Sequence, residues 1–585
     1  MLRVLFLHPE DSPWDGAWCQ LKWDLIVDLG FASRYTYEEW SHRTGARVLS
    51  IYQFAGQTEG YRRVNQLIER GRGRLLDRMG LDWWEMLAVW SYHDLQAFHL
   101  LDQLRAEIGS GQIELVATRL HFFTRLLEQI LGRPVRYLEI ESRGPVQTAV
   151  RILRSARKLR PAQIAEIAFD KWDTDYRVRR HVTKHKRAYL TDPVVLLPSA
   201  YSNVTRSVLA YAAQLPQRRF LLATTRRSAM PDRLPGNVKV VPLSAYAAPS
   251  SSTREQIVEL TRSWEEFRHT TLAQADELHH AANAGLWDNF PAHLEHGLRL
   301  REAWSRLLES EPVKGVLCGD DLNYHTRLPL ILAHRSGLNA VYCSHGALDG
   351  GFLFKMPFAD SYLVKGEMES DYLQRASASA ISAIDPEKIC VGAPGSNRSM
   401  GQGDQRDGAL VFFSQPYELD GGRVNEIYRE VLPRLWRAAN RSGRRLIVKL
   451  HPFESKQART KLVISILPNA LENQVEIVTG VPPEEVMSRT WCGVTVDSSV
   501  AVECALRKIP FFLCGWLDFM GLGYLQQFER FGVGRVLTTP DSIEQIPELV
   551  DGYGSAPATE RLWHEADPAR LDEIMFGIRQ LLHAA

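Results

Sequence analysis

The sequence predicts an α/β protein built from two Rossmann-like, doubly wound parallel-sheet lobes, with an additional N-terminal α/β and helical region. Two observations carry that reading. From about residue 193, short apolar runs alternate with helical segments, the signature of a parallel sheet wrapped by helices. The alternation stops at a polar, glycine-containing stretch, Gly395 to Gly408, and then starts again, so a second open sheet follows the first. A chain of 585 residues, 45% hydrophobic and 24% charged, has material for about three such cores.

Residues 1–190 form the N-terminal region. LRVLFLH reads as a buried strand and is followed by a loop containing Asp11, Trp14, Asp15, Gly16 and Trp18. ARVLSIY reads as a second strand. Residues 60–130 carry helical periodicity, and IELVAT and VRYLEI read as further strands. Residues 151–190 hold twelve Lys/Arg against four Asp/Glu. That excess fits a solvated helical connector; its functional reading is a surface for anionic lipid or anionic glycan, giving peripheral membrane contact.

The first lobe spans 191–395, with PVVLLPS, RFLLATT, VKVVPL, GVLCGDD, AVYCSHG, SYLVKG and KICVGAP as strands and a long helical stretch near 254–310. The second lobe spans 409–567, with ALVFFSQP, RLIVKLHP, VEIVTG, GVTVDSS, PFFLCG and GRVLTT. A helix in 568–585 ends the chain.

The formal net charge of +1 argues against nucleic acid as a partner. Seven scattered cysteines include no CxxC pair, which suits a reducing cytoplasm rather than a zinc knuckle or disulfide scaffold. The opening apolar run is too short for a signal-peptide core, and no run of apolar residues is long enough for a membrane helix.

Ligands of open parallel sheets bind beyond the carboxyl ends of the strands, so residues just after strands are the candidates. RLIVKLHPFES ends on Lys449, His451 and Pro452; Pro452 lacks an N–H and leaves His451 at the tip, able to donate to a phosphate. An idle turn histidine is the alternative. In GVTVDSSVAVECALRKIPFFL, Ser498 and Ser499 stand where a helix starts, either as an anion site or as plain caps. Glu503, a turn further on, can accept from two ribose hydroxyls. Gln415, after VFFS, reads a base edge or a phosphate, or sits in an ordinary turn.

These three patterns resemble the donor-binding half of bacterial GT-B glycosyltransferases, closest to those using CMP-activated sugars: sialyl-, polysialyl- and capsule Kdo transferases. Those families carry a His-Pro and a Ser-Ser motif for the nucleotide, matched by His451-Pro452 and Ser498-Ser499. The Kdo enzymes add a Gln-Pro element, matched by Gln415-Pro416. The segment from Gly315 to Gly346 looks like one in capsule and teichoic-acid polymerising enzymes, with Asp320, Asp321, Arg327, His345 and Gly346 at the matching places. The resemblance covers about residues 310–550; the first 190 residues match nothing nameable.

It implies a metal-independent transferase in bacterial surface polysaccharide synthesis, with a nucleotide sugar as substrate rather than a cofactor and a glycan or lipid-linked acceptor. Asp320 or Asp321 would deprotonate the acceptor hydroxyl or stabilise a cationic sugar, and His345 would act as a base or a phosphate donor. Asp15, Gly346 and Gly392 are the acceptor or hinge candidates. Asp173-Thr174-Asp175 is formally a DxD triplet, but it follows no clear strand. No GxSxG elbow, Walker loop or N-terminal GxGxxG appears. Two rival readings stand: a UDP-sugar epimerase or CDP-polyol phosphotransferase of the same fold, and an inactive scaffold that binds glycan or partners through its Trp-rich N-terminus.

Overall fold

A computed structural model describes residues 1–14, 16–52, 58–108, 112–138, 187–226, 229–231, 233–247, 251–348, 350, 355–377, 383–394, 408–468, 474–479, 483–518, 521–553 and 559–577. Its strands form three sheets, and every strand pairing among them is parallel.

The first sheet holds β1 (Leu2–Leu7), β2 (Leu25–Asp28), β3 (Arg47–Ser50), β4 (Ile113–Ala117) and β5 (Arg136–Tyr137), in the order β3-β2-β1-β4-β5. The second holds β6 (Val194–Ser199), β7 (Arg219–Thr224), β8 (Val238–Pro242), β9 (Val313–Cys318), β10 (Asn339–Cys343), β11 (Ser361–Val364) and β12 (Ile389–Val391), in the order β12-β11-β10-β9-β6-β7-β8. The third holds β13 (Ala409–Phe413), β14 (Leu446–Lys449), β15 (Val475–Val478), β16 (Thr490–Thr495), β17 (Phe511–Cys514) and β18 (Arg535–Leu537), in the order β15-β14-β13-β16-β17-β18.

The two Rossmann-like lobes are therefore present. In each of the three sheets the first strand sits inside, the next two lie to one side, and the fourth crosses to the other. Helices then cover both faces, and the inner strands must be apolar throughout. All six residues of β6 and all five of β13 are buried.

The N-terminal region is a third doubly wound sheet, one step beyond the expected mixture of strands and helices. Strand β2 went unread because its four residues follow the Trp-rich loop without an apolar run of their own length. VRYLEI contributes only the two-residue edge strand β5; residues 139–186, which include most of the basic stretch and the DxD triplet, lie outside the described residues.

This region shares one apolar core with the second sheet. Trp84, fully buried, meets Phe267 and Trp287 at ring centroid distances of 5.2 Å each, and Trp264 meets Phe290 at 5.0 Å. Truncating such a ring costs about 3–5 kcal/mol.

Two chain segments connect the second and third sheets side by side. The Ala393 N–H donates to the His564 carbonyl (2.7 Å), and the Ala566 N–H returns to the Ala393 carbonyl (2.9 Å). Helix Pro568–Phe576 then buries Leu571 and Met575 in the core of the second sheet, with Leu317 and Val341. The final helix thus belongs to the packing of the first lobe, and residues 578–585 lie outside the described residues.

Candidate active site

The register of the third sheet lines up the candidate donor residues. Phe413 pairs with Lys449 on one side and Thr495 on the other. Gln415, His451 and Asp497 each follow by two residues, so they stand abreast at neighbouring strand tips. Strands lie about 4.8 Å apart, which puts the tips of β14 and β16 roughly 10 Å apart across β13. The gap between β13 and β16 is where the strand order reverses, the crevice that open α/β sheets use for ligands.

At the tip of β14, the Leu450 N–H makes a last ladder bond to the Val478 carbonyl (2.9 Å). The chain then turns. His451 donates its backbone N–H to Glu454 (2.8 Å), and its Nδ1 accepts from the Phe453 N–H (3.2 Å). The ring proton of the neutral imidazole is therefore on Nε2. Burial, and then the Lys449 charge, hold this imidazole below its ordinary pKa, so the neutral donor form is favoured. Pro452 is exposed on the turn.

Glu454 is the organiser of this loop, and sequence reading missed it. It is buried and also accepts from Ser414 Oγ (3.0 Å), Tyr428 OH (3.2 Å) and Arg459 Nε (2.7 Å). Lys449 is buried too, donating Nζ to the Leu450 carbonyl (2.9 Å); burial lowers its pKa against the pull of Glu454. Gln415 Oε1 is buried without a hydrogen-bond partner among the described residues.

At the tip of β16, Ser498 accepts the Val500 N–H weakly (3.4 Å), while Ser499 makes no side-chain cap for helix Val500–Leu506. The plain capping role therefore fits Ser498 better than Ser499. A Cβ added at Gly346, across the gap in the first lobe, would lie 3.4 Å from Ser499 Oγ. Gly346 and Ser499 thus bring the two lobes into near contact. Glu503 is half-buried on the helix.

The facing lobe contributes the ends of β7, β9 and β10. His345 Nδ1 donates to the Gly319 carbonyl (2.9 Å), which leaves Nε2 as an acceptor in the neutral ring. Asp320 is buried; burial raises its pKa, with His345, the Leu322 N–H (2.9 Å) and Lys355 opposing. Its other oxygen takes the Asn323 side chain.

Asp321 differs. It is ion-paired with Lys355 and with Arg327 (3.2 Å), and these two cations hold its pKa below the ordinary value although burial alone would raise it. Arg327 continues to Glu85 (2.5 Å), and Glu85 to Arg72 (2.7 Å), so Asp321 anchors a buried ionic chain into the N-terminal region. The two adjacent aspartates thus differ in partners: Asp321 is ion-paired to two cations, and Asp320 accepts from the Leu322 N–H and the Asn323 side chain.

Arg226, just past β7, was also missed. It donates to Tyr201 OH (2.6 Å) and reaches His325 Nε2 (3.3 Å), and Tyr201 packs on Phe453 of the His451 loop (ring centroids 6.2 Å). The two loops thus touch across the lobes. A strand tip ending in Thr-Thr-Arg-Arg was the available signal.

Gly392, the other acceptor or hinge candidate, is tied into the backbone beside Ala566. Its N–H goes to the Val364 carbonyl (2.8 Å), its carbonyl accepts Tyr211 OH (3.0 Å), and a Cβ there would come within 2.8 Å of Ala566. Asp15 lies outside the described residues. Among the described residues no group of three His, Cys, Asp or Glu side chains could hold a metal ion, and no helix is long and apolar enough to cross a membrane.

No family model and no curated protein matches the chain. Solved structures of similar fold exist. The UDP-GlcNAc 2-epimerase of Methanocaldococcus jannaschii, in complex with UDP-GlcNAc and UDP, aligns at 12% identity and a TM-score of 0.41, covering 66% of this chain and 98% of that one. The wall teichoic acid polymerase TagF aligns at 12% and 0.36, covering 73% and 96%. The calicheamicin glycosyltransferase CalG4 aligns at 12% and 0.35, covering 66% and 94%. These are likenesses of fold and carry no residue correspondence. The two-lobed α/β assignment stands on the strand orders of this chain.

Proposed function

We propose that the chain is a GT-B-type glycosyltransferase that moves a sugar from a nucleotide donor, a CMP-sugar by preference, to a glycan or glycolipid acceptor in bacterial surface polysaccharide synthesis. One observation carries the reading. Three polar strand tips stand abreast at the switch point of the third sheet, and they keep a neutral imidazole donor at His451, an uncapped hydroxyl at Ser499 and an unsatisfied amide oxygen at Gln415. Groups of this kind bind a phosphate and read a base.

In this reading the donor phosphate rests on His451, Ser498 and Ser499, with the Lys449 charge behind them. The base and ribose lie toward Gln415 and Glu503. His345 Nε2 takes the proton of the acceptor hydroxyl, oriented by the Gly319 carbonyl. That oxygen attacks the anomeric carbon, the bond to the donor phosphate breaks, and the released charge falls on donors already in place. Asp320, buried at the end of β9, lies on the acceptor side of this reading.

A thermal-shift series with CMP, CDP, UDP and GDP tests the site. CMP-selective stabilisation that grows with ligand concentration supports the donor class. A flat response to all four overturns the donor site. Donor turnover without any acceptor replaces the transferase with an epimerase.

A further inference from the structure

The Trp-rich loop that follows β1 is absorbed by none of this. It sits against helix Val424–Arg441 of the third-sheet lobe and bounds a cavity of about 400 Å³. A second cavity of about 240 Å³ adjoins it, sharing Ser12, Glu426 and Arg429. Both lie at the carboxyl-end side of the first sheet, the side where parallel sheets take ligands.

The helix serves two sites with two faces. Tyr428 points to Ser414 and Glu454 beside the His451 loop. Glu426, Glu430 and Arg434, four residues apart, share the face that lines the cavity. Glu430 is satisfied, accepting from Ser33 (2.5 Å) and from Trp516 Nε1 (2.7 Å). Glu426 keeps acceptor capacity. It is 8% exposed, it accepts its own backbone N–H and faces Arg429 at 3.8 Å, and no side chain of the described residues donates a hydrogen bond to it. A buried carboxylate with so few donors is costly, and it lines both cavities.

The lining selects the ligand chemistry. Three carboxylates (Glu39, Glu426, Glu430) face three guanidinium groups (Arg43, Arg429, Arg434), so neither an anion nor a cation is preferred. An apolar ligand would desolvate Glu426 further without giving it a hydrogen-bond donor. Arg43 lies 3.6 Å over the Trp14 ring, and Tyr35 lines the same wall, giving flat surfaces beside the charged groups. Hydroxyl donors for the carboxylate, hydroxyl acceptors for the guanidinium groups and an apolar C–H face for the aromatic wall are the properties of a pyranose.

We propose that the groove between the Trp14 loop and helix Val424–Arg441 is a second saccharide site, separate from the interlobe cleft, which holds a neutral glycan segment through Glu426 and Trp14. The assignment is independent of the donor-site reading. Saturation-transfer NMR on the full chain tests it, using maltohexaose, cellohexaose, chitohexaose and mannohexaose, with hexagalacturonate as the anionic control. At least one neutral hexasaccharide should bind, and Glu426→Gln and Trp14→Ala should each weaken it by about tenfold or more. His451→Ala should leave this binding intact. The near-isosteric Glu426→Gln keeps the test valid if Trp14→Ala does not fold. Binding of the anionic control alone, no binding of any neutral hexasaccharide, unchanged binding by Glu426→Gln, or loss on His451→Ala each overturns the proposal. The last outcome would move the glycan to the interlobe cleft, and it bears on the donor site separately.

Discussion

Two crevices of this molecule are built alike and finished differently. Both open at the carboxyl ends of parallel strands. At the first sheet, Arg423 of the third-sheet lobe fills the position above β1 and β2. It pairs with Asp28 (2.6 Å), donates to the carbonyls of Leu7 (3.2 Å), His8 (2.9 Å), Pro9 (3.2 Å) and Asp11 (2.6 Å), and is 1% exposed. The parallel bridge between Phe31 and Gly422 closes the edge. At the third sheet the equivalent tips keep His451 Nε2, Ser499 Oγ and Gln415 Oε1 without such a partner among the described residues. Over β1 and β2 the protein's own guanidinium fills the strand tips and leaves the cavities beside the Trp14 loop to one side, whereas the tips of the third sheet keep hydrogen-bonding capacity. Strand order alone makes a crevice; what remains unsatisfied in it makes a site.

The largest expected effect falls on the filled side. Arg423→Met strands the Asp28 carboxylate and four backbone carbonyls, and should cost about 3–5 kcal/mol in denaturant unfolding. Asp28→Asn combined with it should recover part of that loss. If Arg423→Met instead leaves stability unchanged and abolishes nucleotide binding, the contrast between the two crevices is reversed.

Next comes the open side. His451→Ala should lower transfer by about 10²-fold, as loss of a preorganised donor does. Its unfolding free energy should change by no more than about 1 kcal/mol, because among the described residues its side chain accepts one hydrogen bond, from the Phe453 N–H, and meets the Phe453 ring edge-on (5.0 Å). A transfer assay beside an unfolding curve separates the two effects, and near-normal transfer removes His451 from the donor site.

A pH effect sharpens the filled side. His121, whose ring lies 6.0 Å from that of His8, has its pKa lowered from 6.5 to about 4, mainly by burial and then by His8. The unfolded imidazole takes its proton near 6.5 and the folded one only near 4, so between those values the unfolded state binds more protons. Stability therefore falls as pH drops through that window, by roughly 3 kcal/mol in all. His121→Asn keeps an N-cap for helix Phe122–Leu131 and should flatten this part of the curve. Equal pH slopes in the two proteins would show that burial of His121 is not what drives it.

The smallest effect tests the least constrained hydroxyl. Ser499→Ala should weaken nucleotide binding by about fivefold, near 1 kcal/mol, with the melting temperature unchanged. Calorimetry reads it, and a fall in melting temperature with no change in affinity would return Ser499 to a structural role.

How much of this the sequence disclosed depended on the range of the interaction concerned. The two lobes, the ends of most of their strands and the His-Pro and Ser-Ser tips were legible, because an apolar run bounded by turn residues is a local pattern. Glu454 was not, because its meaning comes from four partners, among them Ser414 and Tyr428, which other elements bring to it. Asp320 and Asp321 are adjacent and chemically identical. Only Lys355 and Arg327, the latter tied to Glu85 some 240 positions away, make one an ion-pair anchor.

By itself, then, the sequence determined where strands and helices form, through hydrophobic periodicity and the reach of proline and glycine over a few residues. The tertiary structure decided which strand tips face one another, that the N-terminal region is a third sheet of the same winding, and that Arg423 fills the strand tips of one sheet while those of another stay open. Those outcomes rest on burial and hydrogen-bond satisfaction between segments hundreds of residues apart, and such pairing leaves no periodic mark along the chain.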